Sequence, residues 1–227
     1  NEGFATYMEA AYREKKYGRA DYLQKIRENA ALFFVDEAIN KNRHGLYNVL
    51  ARPDHSIFDI TTYQKGGAVI HTLRETVGTE NFWKALNIYL NRHKFGNVET
   101  PDLQKAMEET SGKDLNWFFN QWVYGAGYPK LNVKPIYNPA AKQLNLTVTQ
   151  TQELDKITPE MFILPMEIEI TTPQGKKTEK IEIKNRTENF SLKVDEKPTK
   201  IVFDKDEKIP LKSVKIQSLT TAKNNAH

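Results

Sequence analysis

The feature that most constrains this chain is a change of hydrophobic period near Gly125-Ala126-Gly127-Tyr128-Pro129. Before it, apolar residues recur at the three- and four-residue spacing of helices buried along one stripe. After it they alternate, as in strands with one buried face. Two periods imply two kinds of packing, so the expected architecture is α + β and multidomain: helices over 1–127, strands over 128–217 and a polar tail over 218–227. At 227 residues the chain is long enough for one large domain or two modest ones.

In the first half, residues 2 to about 16 predict a helix broken at Tyr17-Gly18. Asp21 to Ile39 predicts a second, with Leu23, Ile26, Ala30, Phe33 and Phe34 along a stripe, running out in Asn40-Lys41-Asn42-Arg43-His44-Gly45. After a loop containing Pro53, Tyr63 to Val77 presents Val69, Ile70, Leu73 and Val77 to a core. Glu80 to Arg92 turns Phe82, Trp83, Leu86 and Tyr89 or Leu90 inward. Thr100-Pro101-Asp102 reads as a helix start, with Thr100 as N-cap, and that helix ends at Ser111-Gly112. Asp114 opens a last helix whose Trp117, Phe118, Phe119 and Trp122 are expected in the core.

In the second half, Leu144, Leu146 and Val148 alternate with polar residues. So do Met166, Ile168 and Ile170, then Ile181 and Ile183, then Phe190, Leu192 and Val194. Thr172-Pro173-Gln174-Gly175 is a tight turn between two of these strands. About seven short strands suggest an antiparallel β-sandwich. The tail beyond Gln217 is expected to fray.

Composition excludes several functions. With no cysteine there can be no disulfide, thiolate metal cluster or cysteine nucleophile, so any metal must be held by His, Asp or Glu. The net charge is +4, and residues 1–125 balance at 16 Lys+Arg against 16 Asp+Glu. The excess is spread thinly over the second half as lysines interleaved with acids, a solvated surface and not a nucleic-acid footprint. No apolar run approaches the ~18 residues of a membrane span. No leader of basic then apolar residues opens the chain, and compartment stays open between cytoplasm and export. Nothing in the sequence indicates an oligomeric state.

Two short stretches could carry chemistry. Glu2 sits in the first helical turn, within Asn1-Glu2-Gly3-Phe4-Ala5-Thr6-Tyr7, where an acid ordinarily complements the helix dipole. Tyr63 opens Tyr63-Gln64-Lys65-Gly66-Gly67, where a tyrosine is ordinarily a packed ring with a wet hydroxyl. Lys65 is assigned no chemistry, and His71 is expected to pack or face solvent. His44 and His55 belong to loops. Glu9 and Arg13 are spaced to pair on an exposed face.

Taken in order, Asn-Glu-Gly-Phe-Ala-x-Tyr at residue 1, Tyr-x-Lys-Gly at 63, Asn97-Val98-Glu99-Thr100-Pro101-Asp102-Leu103, Met107-Glu108 to Ser111-Gly112, Leu115 to Trp122 and Gly127-Tyr128-Pro129 resemble the M1 family of zinc aminopeptidases, the gluzincins. The resemblance implies the helical later half of a thermolysin-like catalytic domain, followed by that family's β-sandwich. It implies zinc held by two histidines of a His-Glu-x-x-His helix and by a glutamate that maps onto Glu2, with one position open for a water whose pKa falls toward neutrality. Tyr63 maps onto the tyrosine that donates a hydrogen bond to the tetrahedral oxyanion, and losing such a donor costs roughly 3–4 kcal/mol. The implied substrates are peptides with a free N-terminus.

The sequence departs from that pattern in two ways. It has no His-Glu-x-x-His, since no two of His44, His55, His71, His93 and His227 are spaced i, i+4, and no Gly-x-Met-x-Asn amine-binding strand. Both elements precede the glutamate in the family, so a C-terminal piece, inert without its parent, is the expected reading. The other readings are a non-catalytic interaction module that has lost its metal helix and a related gluzincin of different specificity, such as an epoxide-hydrolysing relative.

Overall fold

The computed structural model describes residues 1–39, 43–48 and 58–222; Asn40, Lys41, Asn42, Pro53, His55 and His227 lie outside the described residues. The chain divides into two compact units. One comprises Asn1–Gly127 with Lys156–Thr158 and Lys208–Leu211; the other comprises Tyr128–Asp155, Pro159–Glu207 and the chain from Lys212 onward.

The first unit contains α1 (Glu2–Tyr17), α2 (Arg19–Ile39), a π-helical turn (Thr61–Lys65) that runs into α3 (Gly66–Val77), α4 (Thr79–Arg92), α5 (Thr100–Ser111), and α6 (Asn116–Phe119) continued by a second π-helical turn (Asn120–Tyr124). The middle of the unit is α3, whose residues Gly66 to Arg74 are all buried. A helix buried on every side must partner its polar groups internally. Tyr22 accordingly shares a 2.6 Å hydrogen bond with His71 Nδ1, so His71 is a packed core histidine. Thr72 Oγ1 donates to the Ala68 carbonyl, and Arg74 Nη1 donates to Glu14 at 2.6 Å and to the Tyr7 hydroxyl at 3.3 Å.

Several local expectations shift. The buried stripe of α2 is Tyr22, Ile26, Asn29, Ala30 and Phe33, while Leu23 and Phe34 are only half-buried, because Tyr22 reaches the core with its ring and satisfies its hydroxyl on His71. In α4 the inward residues are Phe82, Ala85 and Leu86; Leu90 faces solvent and Trp83 lies near the surface against Tyr7 and Phe82. The cap of α5 is Glu99, not Thr100: the Glu99 side chain accepts the N3 backbone N–H and Asp102 Oδ2 accepts the Glu99 N–H at 2.8 Å, a reciprocal capping box. Gly112 ends that helix with φ 67°, a left-handed cap. Phe118, Phe119 and Trp122 are buried as expected, whereas Trp117 is half-buried. Arg13 turns from Glu9 to Asp21 of α2 at 2.6 Å, and Glu9 pairs with Lys25 at 2.9 Å, because packing α1 on α2 offers closer partners than the helix's own next turn.

The second unit holds two sheets. One has the order β5 (Thr187–Lys193), β2 (Gln143–Gln150), β1 (Lys130–Asn138), β7 (Ser213–Ile216), with β8 (Thr220–Thr221) also on β1. The other runs β4 (Gly175–Ile183), β3 (Leu164–Thr172), β6 (Lys200–Phe203). Leu131, Val133, Tyr137, Leu144, Leu146 and Val148 fill the inner face of the first sheet, and Leu164, Met166, Ile168, Ile170, Ile181 and Ile183 that of the second. Thr172 pairs with Gly175 across the expected turn. The first sheet is mixed, not antiparallel throughout: β7 and β8 run parallel to β1. Alternation reports which face is buried and is blind to strand direction, so the parallel strands escape it. The tail likewise does not fray at once, since Thr220 and Thr221 pair with β1 and the Thr220 hydroxyl donates to the Pro135 carbonyl, contacts that need no apolar side chain.

Among the described residues no helix is long and apolar enough to cross a membrane.

Candidate active site

The site is built where α1 crosses the start of α3. A Cβ on Gly3 would stand 2.9 Å from Gly66 Cα, and one on Gly66 would stand 2.8 Å from Gly3 Cα. Real Cβ atoms do not approach backbone so closely, so these two backbones touch because both residues lack a side chain. Gly3 follows Glu2 directly, and Gly66 follows Tyr63 by three residues. The crossing therefore draws a carboxylate and a phenol, 61 positions apart in the chain, to one point.

There the Tyr63 hydroxyl comes within reach of the Glu2 carboxylate. Desolvation first, and then the neighbouring Glu2 carboxylate, push the phenol above its ordinary value of 10.0, so Tyr63 holds its proton at neutral pH and is available as a donor. Both side chains are half-buried. An apolar cavity of about 270 Å³ lies against the same crossing, lined among others by Gly3, Phe4, Thr62, Gly66 and Val69.

Tyr63 occupies the π-helical turn. Such turns insert an extra residue into a helix, re-aim the side chains they carry and occur often at functional sites. Two groups fasten this one. On its N-terminal side Asp59 Oδ1 accepts the Thr62 N–H at 2.8 Å, and the Asp59 carbonyl accepts the Tyr63 N–H at 3.0 Å. On its C-terminal side Lys65, fully buried, donates from Nζ to the Gly125 carbonyl at 3.0 Å and lies 5.8 Å from the Phe33 ring centroid. Nothing in the residue pattern singles out Asp59, and Lys65 carried no assigned chemistry. The two glycines lie in the motifs, but nothing in the one-dimensional pattern pairs them.

Burial lowers the Lys65 ammonium to about 8 from its ordinary 10.5; Glu37 opposes the shift and Arg43 adds to it. Between those two values the unfolded chain keeps a proton that the folded chain has shed. Stability should therefore rise with pH across about 8 to 10.5 and be flat in this respect below. Relative to Lys65→Met, which has no such proton, the gain is at most about 3 kcal/mol. Urea unfolding of both proteins at several pH values checks this, and a constant difference between the two curves would contradict it.

The metal expectation meets a limit in this chain. Among the described residues no three His, Asp or Glu side chains stand close enough to hold a metal ion. His44 is engaged with Asp59, His71 with Tyr22, and His93 lies 4.0 Å from Asp102. Glu2 suits a zinc ligand in its chemistry and half-exposed position, but a lone carboxylate does not make a site.

The peptidase family M1 domain matches residues 1–122, and a domain of unknown function with an Ig-like fold, DUF3458, matches residues 127–217. The chain is 33% identical over 159 residues to tricorn protease-interacting factor F2 of Thermoplasma volcanium, covering 66% of this chain and 19% of that protein. To aminopeptidase N of Escherichia coli it is 28% identical over 178 residues, or 77% of this chain and 20% of that protein. Its fold is similar to that of Legionella pneumophila aminopeptidase A, with a TM-score of 0.66 at 18% identity, over 96% of this chain and 24% of that one.

The chain belongs to peptidase family M1. The family resemblance and the expected order, helical region then β-sandwich, are borne out. M1 aminopeptidases are generally zinc-dependent. The chain spans about a fifth of the length of these relatives.

Proposed function

We propose that this chain is part of a zinc metalloaminopeptidase, to which it supplies one metal ligand, Glu2, and one oxyanion donor, Tyr63. The supporting observation is that the Gly3–Gly66 crossing sets the Glu2 carboxylate beside the Tyr63 phenol, in a chain of family M1. When bound, zinc would polarise the scissile carbonyl and lower the pKa of the attacking water. Glu2 would complete the metal's ligand set with an anion while leaving net positive charge on the ion. The remaining ligands would come from outside this chain.

Tyr63 keeps its proton and so can give a hydrogen bond as negative charge builds on the former carbonyl oxygen. A hydrogen bond from that hydroxyl strengthens as the carbonyl oxygen gains negative charge, and only the part gained in the transition state accelerates the chemical step. The cavity beside the crossing, lined mainly by apolar side chains, offers room for substrate side chains. Its substrates are peptides with a free N-terminus. Alone, with a single ligand, the chain neither holds zinc tightly nor hydrolyses peptides.

The test uses the full natural protein. It should cleave peptides bearing a free N-terminus and spare the same peptides acetylated there. A chelator should abolish the activity and added zinc restore it. Equal cleavage of blocked peptides, or full activity after chelation, would contradict the proposal.

A further inference from the structure

The Tyr63 turn is held by more than its own helix. Asp59 stands at its head with both carboxylate oxygens used: Oδ1 accepts the Thr62 N–H at 2.8 Å, and Oδ2 accepts from His44 Nε2 at 2.6 Å. His44 Nδ1 lies 2.7 Å from the Gly45 carbonyl, so both ring nitrogens face acceptors. Burial would raise the Asp59 carboxyl, but the hydrogen bonds from His44 and Thr62 outweigh it and keep the group below the usual carboxylate range. The histidine is itself anchored. Gly45 is wedged against the second π-helical turn, where a Cβ would stand 2.4 Å from the Tyr124 carbonyl oxygen, and Tyr47 N–H donates to the Val123 carbonyl at 3.0 Å. A continuous path thus runs from the Asn120–Tyr124 turn through Gly45, His44 and Asp59 to the backbone of Thr62 and Tyr63.

We propose that His44 and Asp59 are positioning residues for Tyr63, a brace that fixes the first turn of its helix and so aims the phenol at the point where the oxyanion forms. The proposal rests on the reading of Tyr63 as the oxyanion donor. An ordinary helix cap would need only the carboxylate. Here the cap is clamped from behind by a side chain 15 residues earlier, which is itself pinned to a different element, and the clamped turn carries the candidate donor. The brace touches neither substrate nor metal. Its action is geometric: a displacement near 1 Å at a reacting group can cost ~100-fold in rate.

A double-mutant cycle in the zinc-containing natural protein tests it. Asp59→Ala should lower kcat by ~10–100-fold. KM should stay within about twofold, the signature of a contact made only in the transition state. Introduced on top of Tyr63→Phe, Asp59→Ala should produce no further loss, because the group it aims is gone. Asp59→Asn should recover most of the rate: its Oδ1 still takes the Thr62 N–H, and its amide can donate to Nε2 of a neutral His44. His44→Ala, which leaves the cap carboxylate in place, serves in the same cycle should Asp59→Ala fold poorly. Equal losses with and without the Tyr63 hydroxyl, or a lowered melting temperature with kcat unmoved, would reduce Asp59 to a structural cap and overturn the proposal. If Tyr63→Phe alone leaves kcat intact, the reading of Tyr63 as donor falls first, and this inference falls with it.

Discussion

Gly66→Ala is expected to destabilise the chain by about 2 kcal/mol, against the direction in which a glycine-to-alanine change inside a helix normally acts. An alanine there should gain about 0.5–1 kcal/mol from reduced backbone freedom in the unfolded chain. The new methyl, however, meets Gly3 Cα at 2.8 Å, and that atom is backbone in a packed helix, with no rotamer to escape into. Overpacking of this kind typically costs ~1–3 kcal/mol and more where backbone must shift. Moving α1 away from α3 also separates Glu2 from Tyr63, so the same change should depress turnover in the natural protein. Gly96→Ala is the control, since a Cβ there would meet only the His93 carbonyl oxygen at 3.4 Å, and it should change stability by less than about 0.5 kcal/mol. Urea denaturation of both variants reads the effect. A Gly66→Ala chain at least as stable as its parent would show that the crossing is not sterically closed.

This crossing also marks the boundary of what could be read from the sequence. The division into helices and strands was legible because hydrophobic period reports burial directly, as in Val69, Ile70, Leu73 and Val77 or in Leu144, Leu146 and Val148. Errors arose where a neighbouring element decided the outcome. Leu90 has the right spacing to point inward, yet the interior beside α4 is filled by Phe82, Ala85 and Leu86. Thr100 is the better cap by residue type, but Glu99 and Asp102 can satisfy two donors reciprocally where threonine satisfies one. The parallel course of β7 leaves no trace in an alternating pattern.

The site divides in the same way. Glu2 and Tyr63 could be named in advance because they fall in short motifs that resemble those of family M1, but that they would meet depended on two glycines whose contact is purely tertiary. Asp59 and His44 stayed hidden because a loop histidine and a helix-capping aspartate are common, and only the fold shows that one clamps the other behind Tyr63. The burial of Lys65 was equally hidden, since a lysine at a helix start gives no sign of the Gly125 carbonyl it will reach.

The roles given to Glu2 and Tyr63 differ in kind, and a direct comparison of Glu2→Ala with Tyr63→Phe in the natural protein separates them. Removing a first ligand should weaken zinc binding by more than the ~10–100-fold typical of losing a residue that merely supports a ligand. Removing the phenol hydroxyl should leave zinc content unchanged and lower kcat by ~100- to 1,000-fold with KM little altered, as expected for a donor that acts only on the oxyanion. The decisive measurement is bound zinc per protein, taken alongside kcat for the two variants. Zinc and turnover should be lost together in Glu2→Ala, and turnover alone in Tyr63→Phe. A Glu2→Ala protein that keeps its zinc and its turnover would contradict these roles.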